Sequence, residues 1–231
     1  MTPHRSALPL LALLTGLCAS APARAQGVLI DRVVVRFSAP EMGGITSPSF
    51  IFERVLAFEA RLEALSDPDQ RATASESYRE RHVNAALERH IAETLLSSLH
   101  IEPEPTEQEL AAQADAARLR LLEQVGGPTA LSQAQLAEGI SSSELGSILR
   151  RRARASLYLD RMVAPMLQPS QAELRTIHRT AVTPFRSLDF GRAEPALRRW
   201  YVGRRLSAAL GAFYQNARSR IRVTLLGKPA S

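Results

Sequence analysis

Two short alternating segments near the ends of the chain constrain its fold more than anything between them. In VLIDRVVVRF, Val33, Val35 and Phe37 fall on one side and Arg32, Val34 and Arg36 on the other. In RSRIRVTLL, Ile221, Val223 and Leu225 alternate with Arg220, Arg222 and Thr224. A period of two is the pattern of a half-buried strand. Between them the apolar residues follow a helical period, apart from a short hairpin arm expected at Ile45 and Thr46 after the turn residues Met42, Gly43 and Gly44. A lone strand leaves its backbone donors and acceptors unpaired. The two ends are therefore expected to pair with each other in a small β-ribbon, which gives a mainly α fold closed by its own termini.

Ahead of the first strand, MTPHRSALPLLALLTGLCASAPARA has the form of an export signal: a charge at Arg5, an apolar run from Ala7 to Leu17, and Ala23 and Ala25 around Arg24. Cleavage is expected before Gln26. The apolar run falls short of the roughly 20 residues that a membrane-crossing helix needs, so an exported, soluble mature chain is expected. Cys18 raises the alternative of a lipidated cysteine. Leu17, however, stands where a small residue would be expected by resemblance to the lipoprotein signal family. With residues 1–25 removed the chain has no cysteine, which excludes disulfides, thiolate metal sites and cysteine nucleophiles together.

Removal of that segment from 231 residues leaves 206, enough for one domain of ordinary size or two small ones. An apolar content of 45% is sufficient for a sizeable core. The net charge falls from +6 to +4 with the loss of Arg5 and Arg24, and nearly all the remaining base is arginine. Arginine suits acidic or aromatic-rich partners, and a solvated helix surface explains it equally well. Nucleic acid is not an expected partner of an exported chain.

The helices follow from their apolar rows. Ser47 or Thr46 can cap a helix carrying Ile51, Val55, Phe58, Leu62 and Leu65, which ends before Asp67 and Pro68. A second is expected over residues 73–99, with Val83, Leu87, Ile91, Leu95 and Leu99 at an unbroken spacing of four, stopped by Pro103 and Pro105. Thr106 and Glu109 form a capping box for a third that runs to Gly126 and Gly127. A short helix from Pro128 to about Glu138, a break at Gly139 and a helix over residues 142–163 repeat the same grammar. Ser170 with Glu173 caps about ten more residues. After an aperiodic stretch containing Phe185 and Phe190, a last helix is expected over 195–218, with Val202, Leu206, Leu210, Phe213 and Ala217 on one side and Trp200, Tyr201 and Tyr214 flanking them.

Residues suited to catalysis or metal binding are sparse. His82 and His90 lie eight apart with no carboxylate in the i+4 slot that a metal site would use, and read as solvated surface histidines. His100 sits at a helix end and His178 is isolated. Glu102, Glu104, Glu107 and Glu109 cluster around prolines and a helix start, where the dipole and solubility explain them. No nucleophile turn, phosphate loop or zinc-ligating pair is present. Neither an enzyme nor a cofactor is expected.

The order of elements, together with LSQAQLAEGISSSELGSILRRRARASLYLDRMV, QPSQAELRTIH and ALRRWYVGRRLSAALGAFYQNARSRIRVTLL, resembles the SurA-type periplasmic chaperones. The most specific part is residues 144–170, where an arginine-rich helix runs into a Leu-x-x-x-x-Val-x-Pro connection and a fresh Ser-x-x-Glu cap. The resemblance implies a helical chaperone module in which residues 26–168 are completed by a C-terminal helix and strand over 194–226. Many members insert parvulin-type prolyl isomerase domains before the last two elements. Here the interval between Met166 and Glu194 is under thirty residues, whereas such an insert needs on the order of a hundred, so no isomerase is expected. What remains implied is a periplasmic holdase that binds unfolded or outer-membrane-bound polypeptides.

A holdase needs apolar surface that adapts to many sequences, and aromatic residues rimmed by arginine suit that need. The candidate client-binding residues are Phe185, Phe190, Trp200, Tyr201 and Tyr214 with Arg198, Arg199, Arg204 and Arg205. Each aromatic also has a plainer reading as core, favoured for Trp200 and Phe213 at helical spacing and level for Phe185 and Phe190 in the loop. The alternative to a holdase is a dedicated interaction subunit or scaffold whose contact is the segment 183–195.

Overall fold

Strand β1 (Val33–Ala39) sits in the middle of a three-stranded antiparallel sheet of order β2-β1-β3, with β2 (Ile45–Phe52) on one side and β3 (Arg222–Leu225) on the other. The computed structural model describes residues 31–42, 45–70, 77–218 and 220–226. The expected export signal, with Cys18, lies outside them, as do the side chains of Met42, Thr46 and Tyr214. The expected pairing of the two ends is present: Val35 faces Leu225, Phe37 faces Val223, and the amide of Leu226 donates to the Val34 carbonyl at 2.9 Å.

Two features of the sheet differ from the sequence reading. A bulge between Val33 and Val35 puts an extra residue into β1, so Val34 is buried with Val35 and Phe37 while Val33 is only half-buried. The hairpin arm expected at two residues is an eight-residue strand, and α1 (Glu53–Ser66) starts at Glu53 rather than at Ser47. Ile51 pairs with Val35 and is 1% exposed, so pairing with β1 has won over the helical reading of that residue. At the junction, the amide of Glu53 donates to the Arg32 carbonyl at 2.8 Å.

The remaining helices are α2 (Glu80–Ser98), α3 (Glu107–Val125), α4 (Pro128–Glu138), α5 (Ser142–Tyr158), α6 (Gln171–Thr180) and α7 (Phe190–Arg218), so the described chain is mainly helical. The caps expected at Thr106 and Ser170 form: each side-chain oxygen accepts the amide three residues on, as Ser141 does for α5. Gly126 and Gly139 end α3 and α4 in left-handed conformation at φ 90° and 65°, which glycine adopts without steric cost. Helix α2 begins at Glu80, seven residues after the expected start. Helix α7 begins at Phe190, five residues early, with Pro195 inside its second turn.

Helix α1 is the centre of the packing. Phe58, Leu62 and Leu65 face Leu121 and Val125 of α3, Leu131 of α4 and Leu145, Ile148 and Leu149 of α5. Leu56 and Ala60 face the other way, with Val35, Phe37 and Ile51 of the sheet and Ala86, Ile91 and Leu95 of α2. A helix packed on both sides keeps only a narrow solvent-facing strip, and the charged residues off that strip are buried: Glu59 is 3% exposed and Arg61 is 8% exposed.

Both are paired. Glu59 meets His90 of α2, Oε2 to Nδ1 at 2.8 Å, and the Arg151 guanidinium of α5 on its other oxygen. Arg151 also reaches Glu93 at 3.3 Å, Arg152 meets Glu93 at 3.1 Å, and Arg61 meets Glu138 of α4 at 2.5 Å. His82 and His90 are therefore not solvated surface histidines. His82 accepts the Arg79 amide on Nδ1 and places Nε2 3.2 Å from Asp67, closing the start of α2 onto the end of α1.

Burial alone would raise the carboxyl pKa of Glu59, but the His90 hydrogen bond and the Arg151 charge outweigh it and hold the value at about 2. A group lowered in this way lends stability that is complete above its ordinary value near 4.5 and is lost as pH falls toward about 2. Integrated over that window the linkage is on the order of 3 kcal/mol. Neighbouring Glu63 is pushed up by burial and opposes part of the effect. Urea midpoints measured from neutral pH down to the acid limb should fall steeply for the native chain and more gently for Glu59→Gln; parallel slopes would show that Glu59 does not carry the acid sensitivity. Arg151→Ala, which strands the buried Glu59 charge, should cost about 3 kcal/mol or more at neutral pH.

Candidate functional site

After Tyr158, the α5 backbone widens into a π turn over Leu159–Val163, where the Ala164 amide reaches back to the Leu159 carbonyl, and then tightens into a 3-10 turn over Ala164–Leu167. Helix α5 was expected to continue to Val163; Pro165, with no amide proton, ends the regular ladder instead. Tyr158, Leu159 and Val163 form one wall of an apolar groove, and Leu96 and Leu99 from the end of α2 form its floor. Leu206, Ala209, Leu210 and Phe213 of α7 close it from the opposite side. Leu206, Leu210 and Phe213 belong to the apolar row read from the sequence, so that part of the expected stripe faces the groove, joined by Ala209. All nine lining residues are apolar or aromatic.

The groove has a volume of about 230 Å³, below the roughly 300–1,000 Å³ of small-molecule pockets. It suits a run of side chains better than an enclosed ligand. Its walls are held differently. Helices α2 and α5 are tied to each other and to α1 by Glu59, His90, Arg151 and Glu93, and the Arg154 guanidinium donates to the Ser97 carbonyl at 2.7 Å. Helix α7 packs against α6 and the 3-10 turn in its first half and is joined to the sheet through β3 at its far end.

The expected client-binding residues fall mostly in the first half of α7, where several hold it against α6. The Tyr201 hydroxyl donates to Glu173 at 2.7 Å, and Arg205 lies 3.9 Å from the same carboxylate while its guanidinium sits 5.6 Å from the Tyr201 ring centre. Donating this proton to the Glu173 carboxylate raises the Tyr201 pKa. Phe190 meets the His178 ring edge-on with centres 5.7 Å apart and lies under Arg175, so neither His178 nor Phe190 is isolated. Arg198 donates to the Pro169 carbonyl and pairs with Glu194 one turn away.

Trp200 is half-buried beneath Arg204, with 5.0 Å between the guanidinium carbon and the ring centre. Phe185 is half-buried in the loop and Arg199 is exposed on α7. None of these lines the groove, whose residues from α2 and the π turn were not anticipated. Of these only Leu99 belongs to a row read from the sequence.

Arginines of α5 and of the π turn are committed to ion pairs within the chain. Arg150 meets Glu107, Arg154 meets Glu104 at 2.6 Å, and Arg161 meets Glu109 and donates to the Pro103 carbonyl at 2.9 Å. Three acids of the cluster around Pro103 and Pro105 thus also pair with arginines of α5 and the π turn while staying partly exposed, and Glu109 closes the capping box at the start of α3 as read from the sequence. Among the described residues no group of three or more His, Cys, Asp or Glu side chains is placed to hold a metal ion. Among the same residues no helix is long and apolar enough to cross a membrane. Comparison with protein-family models, curated proteins and solved structures returned no match.

Two measurements test how the outer wall is held. Phe190→Ser should lower the melting temperature, because it removes the ring between His178 and Arg175; an unchanged melting curve would mean that the α6–α7 contact contributes nothing to stability. Ending the chain before Arg220 removes β3 and should leave α1–α5 intact while raising amide exchange over Leu206–Phe213. Unchanged exchange there would show that α7 is held without the sheet.

Proposed function

We propose that this chain is a non-catalytic holdase of the periplasm, which keeps unfolded or outer-membrane-bound polypeptides from aggregating by burying their apolar side chains in the groove beneath α7. The observation that carries this reading is the groove itself: nine apolar or aromatic residues from three parts of the chain, with two walls braced by buried ion pairs and the third supported mainly toward its ends. A surface that must accept many sequences gains from flexible aliphatic lining and from one wall able to adjust. The plan of the fold, with helices between terminal strands that pair, is the one expected from the SurA-type resemblance and supports the same reading.

A dedicated interaction subunit is the second reading, and one observation favours it. Strand β3 is exposed along its length, with Leu225 at 68% and Val223 at 43% on the side that faces inward at Val35 and Phe37. It is also an edge strand, and a partner strand added there would cover both residues.

Promiscuity separates the two. Purified protein should slow the aggregation of several unrelated unfolded chains at near-stoichiometric ratios. Leu210→Ser with Phe213→Ser should remove most of that protection while leaving the melting temperature within a few degrees, because both residues are only half-buried. Protection of no client, with one protein co-purifying at a fixed ratio, would favour the dedicated subunit.

A further inference from the structure

Residues 168–205 hold eight arginines against three acids, Glu173, Asp189 and Glu194, so this stretch carries +5 of the chain's net +6. All three acids are occupied: Glu173 by Tyr201, Glu194 by Arg198, and Asp189 by the Gly191 amide at the start of α7, 3.0 Å away. Among the described residues, Arg179, Arg186, Arg192 and Arg199 are exposed and have no carboxylate within ion-pair distance. This contrasts with α5, where Arg150, Arg151, Arg152 and Arg154 each meet a glutamate.

The free arginines surround the connection between α6 and α7. The two helices run back to back, with Glu173 beside Tyr201 and His178 beside Phe190. Their connection is structured: His178 Nε2 lies 3.0 Å from the Leu188 carbonyl oxygen, the Leu188 amide donates to Phe185 at 3.1 Å, and Thr183 is buried at its base. From this held turn Val182 projects at 86% exposure and Leu188 at 46%, with Phe185 half-buried between them. Arg179 precedes them, Arg186 stands among them and Arg192 follows. An aliphatic pair exposed on an ordered turn costs solvation free energy that no contact within the chain repays.

We infer that the α6–α7 turn docks on an anionic lipid surface, with Val182 and Leu188 entering the interface between headgroups and acyl chains and Arg179, Arg186, Arg192 and Arg199 meeting the lipid phosphates. The charge complementarity supplies the attraction, and the interleaved aliphatic side chains favour a bilayer interface over a nucleic acid or a purely acidic polypeptide, against which Val182 would stay in water. The groove lies on the second half of α7, so a docked protein keeps it available to a client. The docking does not depend on the holdase reading.

Co-sedimentation with phosphatidylglycerol-containing vesicles, against pure phosphatidylcholine vesicles, tests it. The protein should pellet with the anionic vesicles only, and less so as salt rises to about 150 mM. Arg186→Ser with Arg192→Ser should weaken binding on the order of tenfold, and Val182→Ser with Leu188→Ser should weaken it as well. Arg118→Ser with Arg120→Ser, an equal charge change on the exposed surface of α3, should leave it unchanged. In a Trp200→Phe background, Val182→Trp should show a blue-shifted emission with anionic vesicles alone, a readout independent of affinity.

Three results would overturn the inference. One is no binding to anionic vesicles at low salt. Another is an equal loss in the α3 control, which would reduce the effect to net charge. The third is binding to polyglutamate that the Arg186 and Arg192 substitutions weaken and the Val182 and Leu188 substitutions do not, which would make the partner an acidic polypeptide.

Discussion

The groove exists because the chain's last strand returns to its first. Without β3 on β1, α7 would be attached through its first half alone, and Leu206, Leu210 and Phe213 would have no fixed relation to Leu96 or Leu159. Yet this closure is slight: four paired positions and one further amide bond from Leu226 to Val34, on a strand whose own residues are all exposed. With each hydrogen bond contributing a net of roughly 1 kcal/mol, the joint is worth a few kcal/mol and gains little from apolar burial. The bundle around α1 is held by another order of burial. Local opening at the C-terminal joint should therefore precede any loss of the core.

The braced walls solve a different problem. Because α1 packs between the sheet and the α3–α5 layer, charges on its two packed sides must be desolvated, and Glu59 and Arg61 are tolerated there only with partners placed to meet them. Glu59 draws one group from α2 and one from α5; Arg61 draws Glu138 from α4 and lies 5.5 Å from the centre of the Tyr78 ring. Such pairs rarely add net stability over an apolar replacement, but they penalise any arrangement that separates the partners. Here that fixes the rotation of α2 and α5 about α1, and with it the sides on which Leu96, Leu99 and Tyr158 emerge.

Local grammar was readable from the sequence and long-range choice was not. The caps at Thr106 and Ser170 and the glycine ends of α3 and α4 depend on residues within four positions of each other. The terminal strands were legible because period two survives any register. Ile51 was not, since it satisfies both a helical row and a strand face and only the proximity of Val35 decides between them. His82 and His90 looked solvated because their partners, Asp67, Glu59 and the Arg79 amide, belong to neighbouring segments whose packing the spacing does not reveal. The groove was half legible: the α7 stripe could be read, but its opposing wall depends on a π turn that places Leu159 and Val163.

The arginine bias, which composition alone left equally explicable by partners and by solvation, divides by location once the pairs are known. On α5 the guanidiniums find Glu59, Glu93, Glu104 and Glu107, all from segments earlier in the chain, and their charge is matched within the chain, by buried pairs at Glu59 and Glu93 and by surface pairs at Glu104 and Glu107. On α6 and α7 the carboxylates that could serve are three, and each is already held by a tyrosine, an arginine or a helix cap. Adding acids nearby would have neutralised that end at little structural cost, since its turn is already fixed by His178 and Thr183. The excess charge at the α6–α7 turn is therefore not something packing requires, which is why it is the part of the surface where a partner's chemistry can be read.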